Sequence, residues 1–150
     1  MASLSVEACE GESIVVSLFD INAEEVPAFI AREEEYRFMA VKPNEEDVDH
    51  VICLASCDED FIANYGKERY FERYGKYGID RVWADDLLPC PVYLRHCVLA
   101  AEKLSPEAYD SFLDHTYLAD RKTTIRDHLR AKPEILTTLP PAHLSERYGG

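Results

Sequence analysis

Residues 13–41 read SIVVSLFDINAEEVPAFIAREEEYRFMAV, and three patterns follow one another in this stretch. The part from Ser13 to Asp20 is short and rich in β-branched residues, which predicts a buried strand. The part from Tyr36 to Val41 alternates between large and small or charged residues, which predicts a second strand. The segment between them predicts a helix, so the fold begins as strand, helix and strand.

The start of this first helix is marked by Asn22 and Glu25. Their spacing of three residues is that of a capping box, in which two side chains satisfy the free N–H groups of a helix start. Pro27 lies too far along for the first helical position if Asn22 is the cap. We therefore expect the helix to begin nearer Val26 or to bend there, with Phe29 on its apolar face.

The rest of the first half predicts one more strand and one long helix. His50–Ala55 is the third strand. Ser56 with Glu59 repeats the capping-box spacing and predicts a helix from about Cys57 toward Tyr74. The glycines at 75 and 78 are expected to end that helix.

The second half is predicted to be helical. A helix beginning at Pro91 has apolar residues spaced three to four apart, and Ser105-Pro106 stops it and caps the next. A last helix is expected from Thr123 or Thr124 to about Arg130, followed by a proline-broken tail.

These elements predict an α+β protein that forms a single domain over residues 1–150. Residues 13–88 are the expected core, a small curved mixed or antiparallel sheet or barrel with flanking helices. Residues 89–132 are the expected helical C-terminal extension and residues 133–150 a tail. Three strands leave an open sheet edge, which predicts a missing first strand, a homodimer or a protein partner.

Composition excludes several classes of protein. The 150 residues are 47% hydrophobic and 30% charged, as in ordinary globular domains. Sixteen Lys and Arg against 29 Asp and Glu give a net charge of −13. Such a chain repels phosphate backbones and anionic lipid surfaces, so neither a nucleic acid nor a membrane is expected as a partner.

The five cysteines indicate a reducing environment. An odd count with an acidic start that lacks a cationic leader is typical of a cytoplasmic protein with free thiols. His50, Cys53 and Cys57 do not have the C-x-x-C spacing of a zinc site, and buried structural thiols are the favoured interpretation. No metal and no cofactor are therefore expected.

Three consecutive glutamates, Glu33 to Glu35, follow the first predicted helix. A charge run of this kind is usually a solvated face. In the functional interpretation, one carboxylate turns into a pocket between the helix and the Tyr36 strand, where loss of water makes it a better general base.

The order of elements around these glutamates resembles the γ-glutamylcyclotransferase-like superfamily, which includes the ChaC-type and AIG2-like proteins. That family has a strand, a short helix ending in L-[DN]-x-x-E and then a strand containing Tyr. Phe29-Ile30-Ala31-Arg32-Glu33 overlays the motif, although the Asp or Asn is absent, and Tyr36 opens the following strand. The resemblance covers roughly residues 13–65.

The resemblance implies an enzyme of glutathione metabolism that releases 5-oxoproline from γ-glutamyl peptides or amines. Glu33 would be the catalytic general acid and base, and Tyr36 would help to bind the substrate. The family's Y-G-S/T-L loop, whose N–H groups hold the substrate, has no counterpart here. Activity is therefore expected if sequence upstream of Met1 supplies that loop. The alternative is a catalytically silent member that acts as a protein-interaction module.

Two further patterns have structural and functional interpretations. Lys122, Arg126 and Arg130 are spaced four apart and form either a solvated, locally paired helix face or a docking surface for an anion. Aromatic residues concentrate between Tyr65 and Trp83, where they either pack the helix on the sheet or form a partner surface.

Overall fold

The computed structural model describes residues 3–43 and 47–149 of the chain. Two strands and seven α-helices lie in these ranges, in this order: α1 (Val26–Arg32), β1 (Arg37–Val41), β2 (His50–Leu54), α2 (Asp58–Tyr65), α3 (Lys67–Arg73), α4 (Pro91–Leu104), α5 (Pro106–His115), α6 (Ile125–Ala131) and α7 (Ser145–Tyr148). Short 3₁₀ helices occupy Gly75–Tyr77, Pro133–Thr137 and Ala142–Leu144. The α+β class is thereby confirmed.

The chain divides into two compact units. The sheet unit comprises Leu4–Ala8 and Phe19–Ala84, and the described part of the helical unit comprises Ser3, Cys9–Leu18 and residues 85–149. The chain passes from the sheet unit into the last part of the helical unit between residues 84 and 85. The early segment Cys9–Leu18, in contrast, groups with the helical unit.

The sheet of the described residues is a two-stranded antiparallel pair rather than a closed barrel. β1 and β2 pair in register from Arg37 opposite Leu54 to Val41 opposite His50. The strands predicted at Tyr36–Val41 and His50–Ala55 are confirmed, each to within one residue at one end. Val6 forms a single parallel bridge to Leu54, and its carbonyl accepts a 2.8 Å hydrogen bond from the N–H of Ala55.

The prediction of a buried strand over Ser13–Asp20 is wrong. The segment forms no strand and is exposed along its whole length, with Phe19 74% exposed. One of its backbone groups, the N–H of Val15, donates a 2.9 Å hydrogen bond to the hydroxyl of Ser111. β-branched residues favour a strand only where a neighbouring strand covers them, and no described strand lies beside this segment.

α1 begins at Val26, as the proline predicts, and Glu25 rather than Asn22 is the residue before it. Oε2 of Glu25 accepts hydrogen bonds from both the backbone N–H and the side-chain amide of Asn22, each 3.0 Å long. The helix then begins at Val26, with Pro27 in its first turn. Because proline has no N–H to lose and its φ already suits a helix, this position stabilises the start rather than bending the helix.

The single helix predicted from Cys57 to Tyr74 is two helices in the structure. Gly66 separates α2 from α3 with φ of 89° and ψ of 155°. Cys57, not Ser56, is the residue before α2, and the Ser56 hydroxyl instead lies 3.5 Å from the carboxylate of Asp60. The predicted stop is confirmed, because α3 ends at Arg73 and a 3₁₀ turn follows that closes at Gly78 with φ of 75°.

The helical unit has the better-defined core, and α4, α5 and α6 lie close to their predicted bounds. Residues 133–149, predicted as a tail, instead form two 3₁₀ helices and α7, and Ile135 joins the core because its apolar side chain packs on the helices. The N–H of Ala108 donates to the Ser105 hydroxyl at the start of α5, and the N–H of Asp127 donates to the Thr124 hydroxyl at the start of α6. A cluster of buried apolar residues joins the helices of this unit: Leu94, Val98, Leu113, Ile125, Leu129 and Ile135. No helix in residues 3–43 or 47–149 has both the length and the apolar character to span a bilayer.

Candidate functional site

Glu33 lies at the C-terminal end of α1, on a tight turn that leads into β1. Its backbone N–H donates to the carbonyl of Phe29, and its own carbonyl accepts from the N–H of Tyr36, each at 3.0 Å. The turn keeps the Glu33 side chain 25% exposed. Its Oε1 accepts a 2.7 Å hydrogen bond from Nε of Arg32, whose side chain is 67% exposed. The predicted catalytic carboxylate is therefore partly accessible and paired with a solvated cation.

Both members of this pair affect the pKa of the Cys53 thiol on β2. Burial raises the pKa of Cys53 most, the Glu33 carboxylate raises it further and the Arg32 guanidinium opposes the change. A thiol with a raised pKa stays protonated at neutral pH and is a poor nucleophile. The interpretation of Cys53 as a buried structural thiol is therefore favoured over nucleophilic catalysis.

Tyr36 occupies a packed position near the start of β1. Its hydroxyl donates a 3.1 Å hydrogen bond to the carbonyl of Leu4, and its ring meets Trp83 edge-on with 5.6 Å between centroids. The hydrogen bond connects the segment before β1 with residues 4–6, of which Val6 bridges to β2. A role in substrate binding would require the hydroxyl to exchange its bond to Leu4 for one to the substrate.

The glutamate that turns inward is Glu34, not Glu33. Glu34 is only 3% exposed. Its Oε2 accepts hydrogen bonds of 2.6 Å and 3.1 Å from the guanidinium of Arg69, and its Oε1 pairs with Arg73. One of the three carboxylates is therefore buried, as the functional interpretation required. It is Glu34, however, and it pairs with two arginines instead of entering a pocket as a general base. Arginines four apart on one helix were a sequence signal for such a partner.

Glu35 completes the arrangement by binding the aromatic cluster of α2 and α3. Its Oε1 accepts a hydrogen bond from the hydroxyl of Tyr74 and lies 3.7 Å from Arg73. Burial and the Glu35 carboxylate raise the pKa of Tyr74. The ring of Phe61 lies at the centre of this cluster, with the centroids of Tyr65, Tyr70 and Tyr74 4.9–5.8 Å away. Packing is therefore the main role of these aromatic residues.

Asp58 at the start of α2 organises the segment that follows the aromatic cluster. Its carboxylate accepts from the N–H of Val82 at 2.9 Å, from the N–H of Trp83 at 3.4 Å and from the hydroxyl of Tyr70 at 2.9 Å. Burial and this carboxylate raise the pKa of Tyr70 to about 12. Asp58 therefore has a structural role that the sequence did not indicate.

The histidines and cysteines remain dispersed. Across the part of the chain that the structure describes, no three His, Cys, Asp or Glu side chains are grouped so that they could hold a metal ion. His115 instead pairs through Nδ1 with the carboxylate of Glu12 at 2.8 Å. All five cysteines are free thiols in the structure, and Cys9 is exposed.

Of the three basic residues spaced four apart, Lys122, Arg126 and Arg130, the two arginines form ion pairs within the helical unit. Arg126 on α6 binds both carboxylate oxygens of Asp114, at 2.5 Å and 2.8 Å, and one oxygen of Asp110 at 2.8 Å. This pairing with Arg126 lowers the pKa of Asp114. Arg130 pairs with Asp127, and Lys122 lies before α6 begins. The locally paired helix face is therefore the favoured interpretation.

No family model matches the chain, and neither a curated protein nor a solved structure matches it.

Proposed function

We propose that the protein is a γ-glutamylcyclotransferase-like enzyme that releases 5-oxoproline from γ-glutamyl peptides or amines, with Glu33 as its general acid and base. The observation that carries the proposal is the accessible Glu33–Arg32 pair at the end of α1, 2.7 Å between Oε1 and Nε. The resemblance in residues 29–33 points to the same carboxylate.

Among the three glutamates, we assign proton transfer to Glu33. Glu34 and Glu35 are engaged by Arg69, Arg73 and Tyr74, whereas Glu33 has one exposed partner that can move away. Arg32 is 67% exposed and is suited to bind the α-carboxylate of a γ-glutamyl substrate. Binding of that carboxylate would draw the guanidinium from Glu33 and bring the substrate's α-amino group to the freed oxygen.

The reaction then needs one group that first accepts and later donates a proton. Glu33 takes a proton from the α-amino group, whose nitrogen attacks the γ-carbonyl carbon and forms the new C–N bond of the five-membered ring. As the bond from that carbon to the original amine breaks, Glu33 returns the proton to the leaving nitrogen. The products are 5-oxoproline and the free amine or peptide.

The decisive experiment compares Glu33→Gln with the wild-type chain on γ-glutamyl dipeptides, with 5-oxoproline measured directly. We expect turnover to be abolished, because a neutral amide neither accepts nor returns the proton. The free energy of unfolding should change by no more than about 1 kcal/mol, since the side chain is partly exposed. Glu24→Gln, at an exposed position in the segment before α1, is the matched control and should retain full turnover.

A second variant separates binding from chemistry. Arg32→Gln should raise KM more than it lowers kcat, since Arg32 is assigned to substrate binding. A wild-type chain that forms no 5-oxoproline, or a Glu33→Gln chain that still forms it, would overturn the proposal.

A non-catalytic interaction module is the second candidate, and the exposed apolar segment 14–21 favours it. Ile14, Val16, Leu18 and Phe19 are between 42% and 74% exposed. Exposed apolar side chains of this kind favour association with a second copy of the segment. If this candidate holds, Phe19→Ser should weaken self-association in sedimentation experiments while no γ-glutamyl substrate is turned over.

A further inference from the structure

A cavity of about 300 Å³ lies in the helical unit, whereas the residues of the proposed reaction belong to the sheet unit. Leu88 and Pro91 form one side at the start of α4, and Ile135 of the following 3₁₀ helix forms another. This volume is at the lower end of the range for small-molecule sites, which bind ligands mainly through apolar walls and a few polar groups. The walls here offer such an apolar surface.

One wall of the cavity carries a buried histidine. His128 of α6 is only 7% exposed and lines the cavity. Its backbone N–H and carbonyl are used within the helix, by Thr124 and Lys132. Within the described ranges, no side-chain hydrogen bond to its ring is present, and the ring nitrogens are not among the fully buried polar atoms that lack a partner. They are therefore open to a ligand group in the cavity.

Two charged side chains, Lys132 and Glu134, share the cavity wall with His128. Burial lowers the pKa of His128 first, Lys132 lowers it further and Glu134 partly opposes both. The cation therefore acts more strongly on the histidine than the carboxylate does. The hydroxyl of Thr138, the remaining polar lining group, already donates to the carbonyl of Glu134 at 2.9 Å.

We propose that this cavity binds a small organic monocarboxylate with an apolar body. The ligand's carboxylate accepts from the ammonium of Lys132 and from an imidazole N–H of His128, and its hydrocarbon part packs against Leu88, Pro91 and Ile135. Glu134 selects against phosphates and dicarboxylates, since a second negative charge would lie close to its own carboxylate.

The test uses phenylacetate as the probe and phenylacetamide as its neutral counterpart, each titrated into the full chain by calorimetry and by NMR of the histidine rings. We expect phenylacetate to bind and to shift the His128 ring signals, and phenylacetamide to bind at least about tenfold more weakly. Lys132→Gln should weaken phenylacetate binding by a similar factor. Glu134→Gln should strengthen it, because a repelling charge is removed.

Lys122→Gln is the matched control, since Lys122 is an exposed lysine of the same unit that does not line the cavity. Its affinity for phenylacetate should equal that of the wild type. The proposal is overturned if phenylacetate does not bind, if the amide binds equally well, or if Lys132→Gln binds like the control. None of these outcomes depends on 5-oxoproline formation, because Glu33 belongs to the other unit.

Discussion

Three neighbouring glutamates of identical chemistry have three different environments in this protein. Glu33 is accessible and pairs with one solvated arginine, Glu34 is buried between two arginines, and Glu35 binds a tyrosine hydroxyl. The turn after α1 points the three side chains in different directions, so the position of each along the turn decides its role. A buried carboxylate must be paired to tolerate the loss of water, and Glu34 meets this requirement with two guanidinium groups.

Replacing Glu34 tests the structural member of this trio. Glu34→Gln removes the charge that Arg69 and Arg73 bind. A hydrogen bond to a charged group contributes about 1.5–3 kcal/mol to stability. We expect a loss of about 1.5–3 kcal/mol in the free energy of unfolding by urea, because the half-exposed arginines regain water. Glu33→Gln is the control, and an equal loss in both variants would contradict the distinct roles.

A single aspartate also organises the turn before α6. Asp120 accepts hydrogen bonds from the N–H groups of Lys122 and Thr123, each at 2.9 Å, and from the Thr123 hydroxyl at 2.6 Å. The Thr123 hydroxyl and these N–H groups lower the pKa of Asp120 to about 2. These bonds satisfy backbone N–H groups that have no backbone partner within the turn.

The lowered pKa predicts how the turn responds to acid. The contribution of Asp120 to stability should be complete above the unfolded-state pKa of about 3.9 and disappear as the pH falls through about 2. Asp120→Asn lacks the charged form at every pH. The difference in unfolding free energy between wild type and variant should therefore shrink from pH 5 to pH 2 in denaturant titrations. A difference that stays constant over this range would refute the assignment.

At the scale of elements, the backbone of Gly66 decides the course of the sheet unit. With φ of 89° and ψ of 155°, Gly66 adopts a conformation that is essentially restricted to glycine. It ends α2 and allows α3 to start in a new direction. That break places Arg69 and Arg73 of α3 on the buried Glu34.

Paired substitutions to asparagine test this requirement. Asparagine tolerates the left-handed helical region, where Gly78 lies with φ of 75° and ψ of 18°, but not the region of Gly66. Gly66→Asn should cost about 1–3 kcal/mol of stability, measured by thermal and denaturant unfolding. Gly78→Asn should cost clearly less. Because a Cβ at either site meets no atom within 4 Å, backbone strain alone separates the two variants.

At the scale of the whole molecule, the two units differ in how they are stabilised. Seven of the eight buried apolar residues in the described ranges belong to the helical unit, and only Phe61 belongs to the sheet unit. The sheet unit relies instead on tilted and edge-on contacts between Phe61 and the tyrosines, the Glu34 ion pairs and the Asp58 hydrogen bonds. Because burial of apolar surface is the dominant favourable contribution to folding, we expect the helical unit to resist local opening more strongly.

Two leucines of α4 test the core of the helical unit. Leu94 is 3% exposed and Leu104 is 54% exposed. Leu94→Ala should cost about 2–5 kcal/mol, because it leaves a cavity among packed helices. Leu104→Ala should leave stability nearly unchanged. Hydrogen exchange provides the measurement, with protection lost across α4–α6 in the first variant only. Equal protection in both variants would show that this cluster is not the core.

The sequence by itself determined the elements whose signals are local. The caps at Ser105 and Thr124 and the proline in the first turn of α1 depend on interactions within a few residues, so they could be predicted. The two paired strands could be predicted from their own residue types, although their pairing is not local. The run of glutamates was interpreted first as a solvated face, and burial of one carboxylate was only the alternative.

Only the tertiary structure decided which segments pair, which glutamate is buried and where a cavity forms. The segment 13–20 has every local mark of a strand, yet it remains exposed because strand formation requires a partner elsewhere in the chain. Which glutamate becomes buried depends on α3, more than thirty residues away, and the cavity at His128 depends on three separate elements. Such long-range contacts carry no signature in any short stretch of sequence, because they arise only when distant elements pack together.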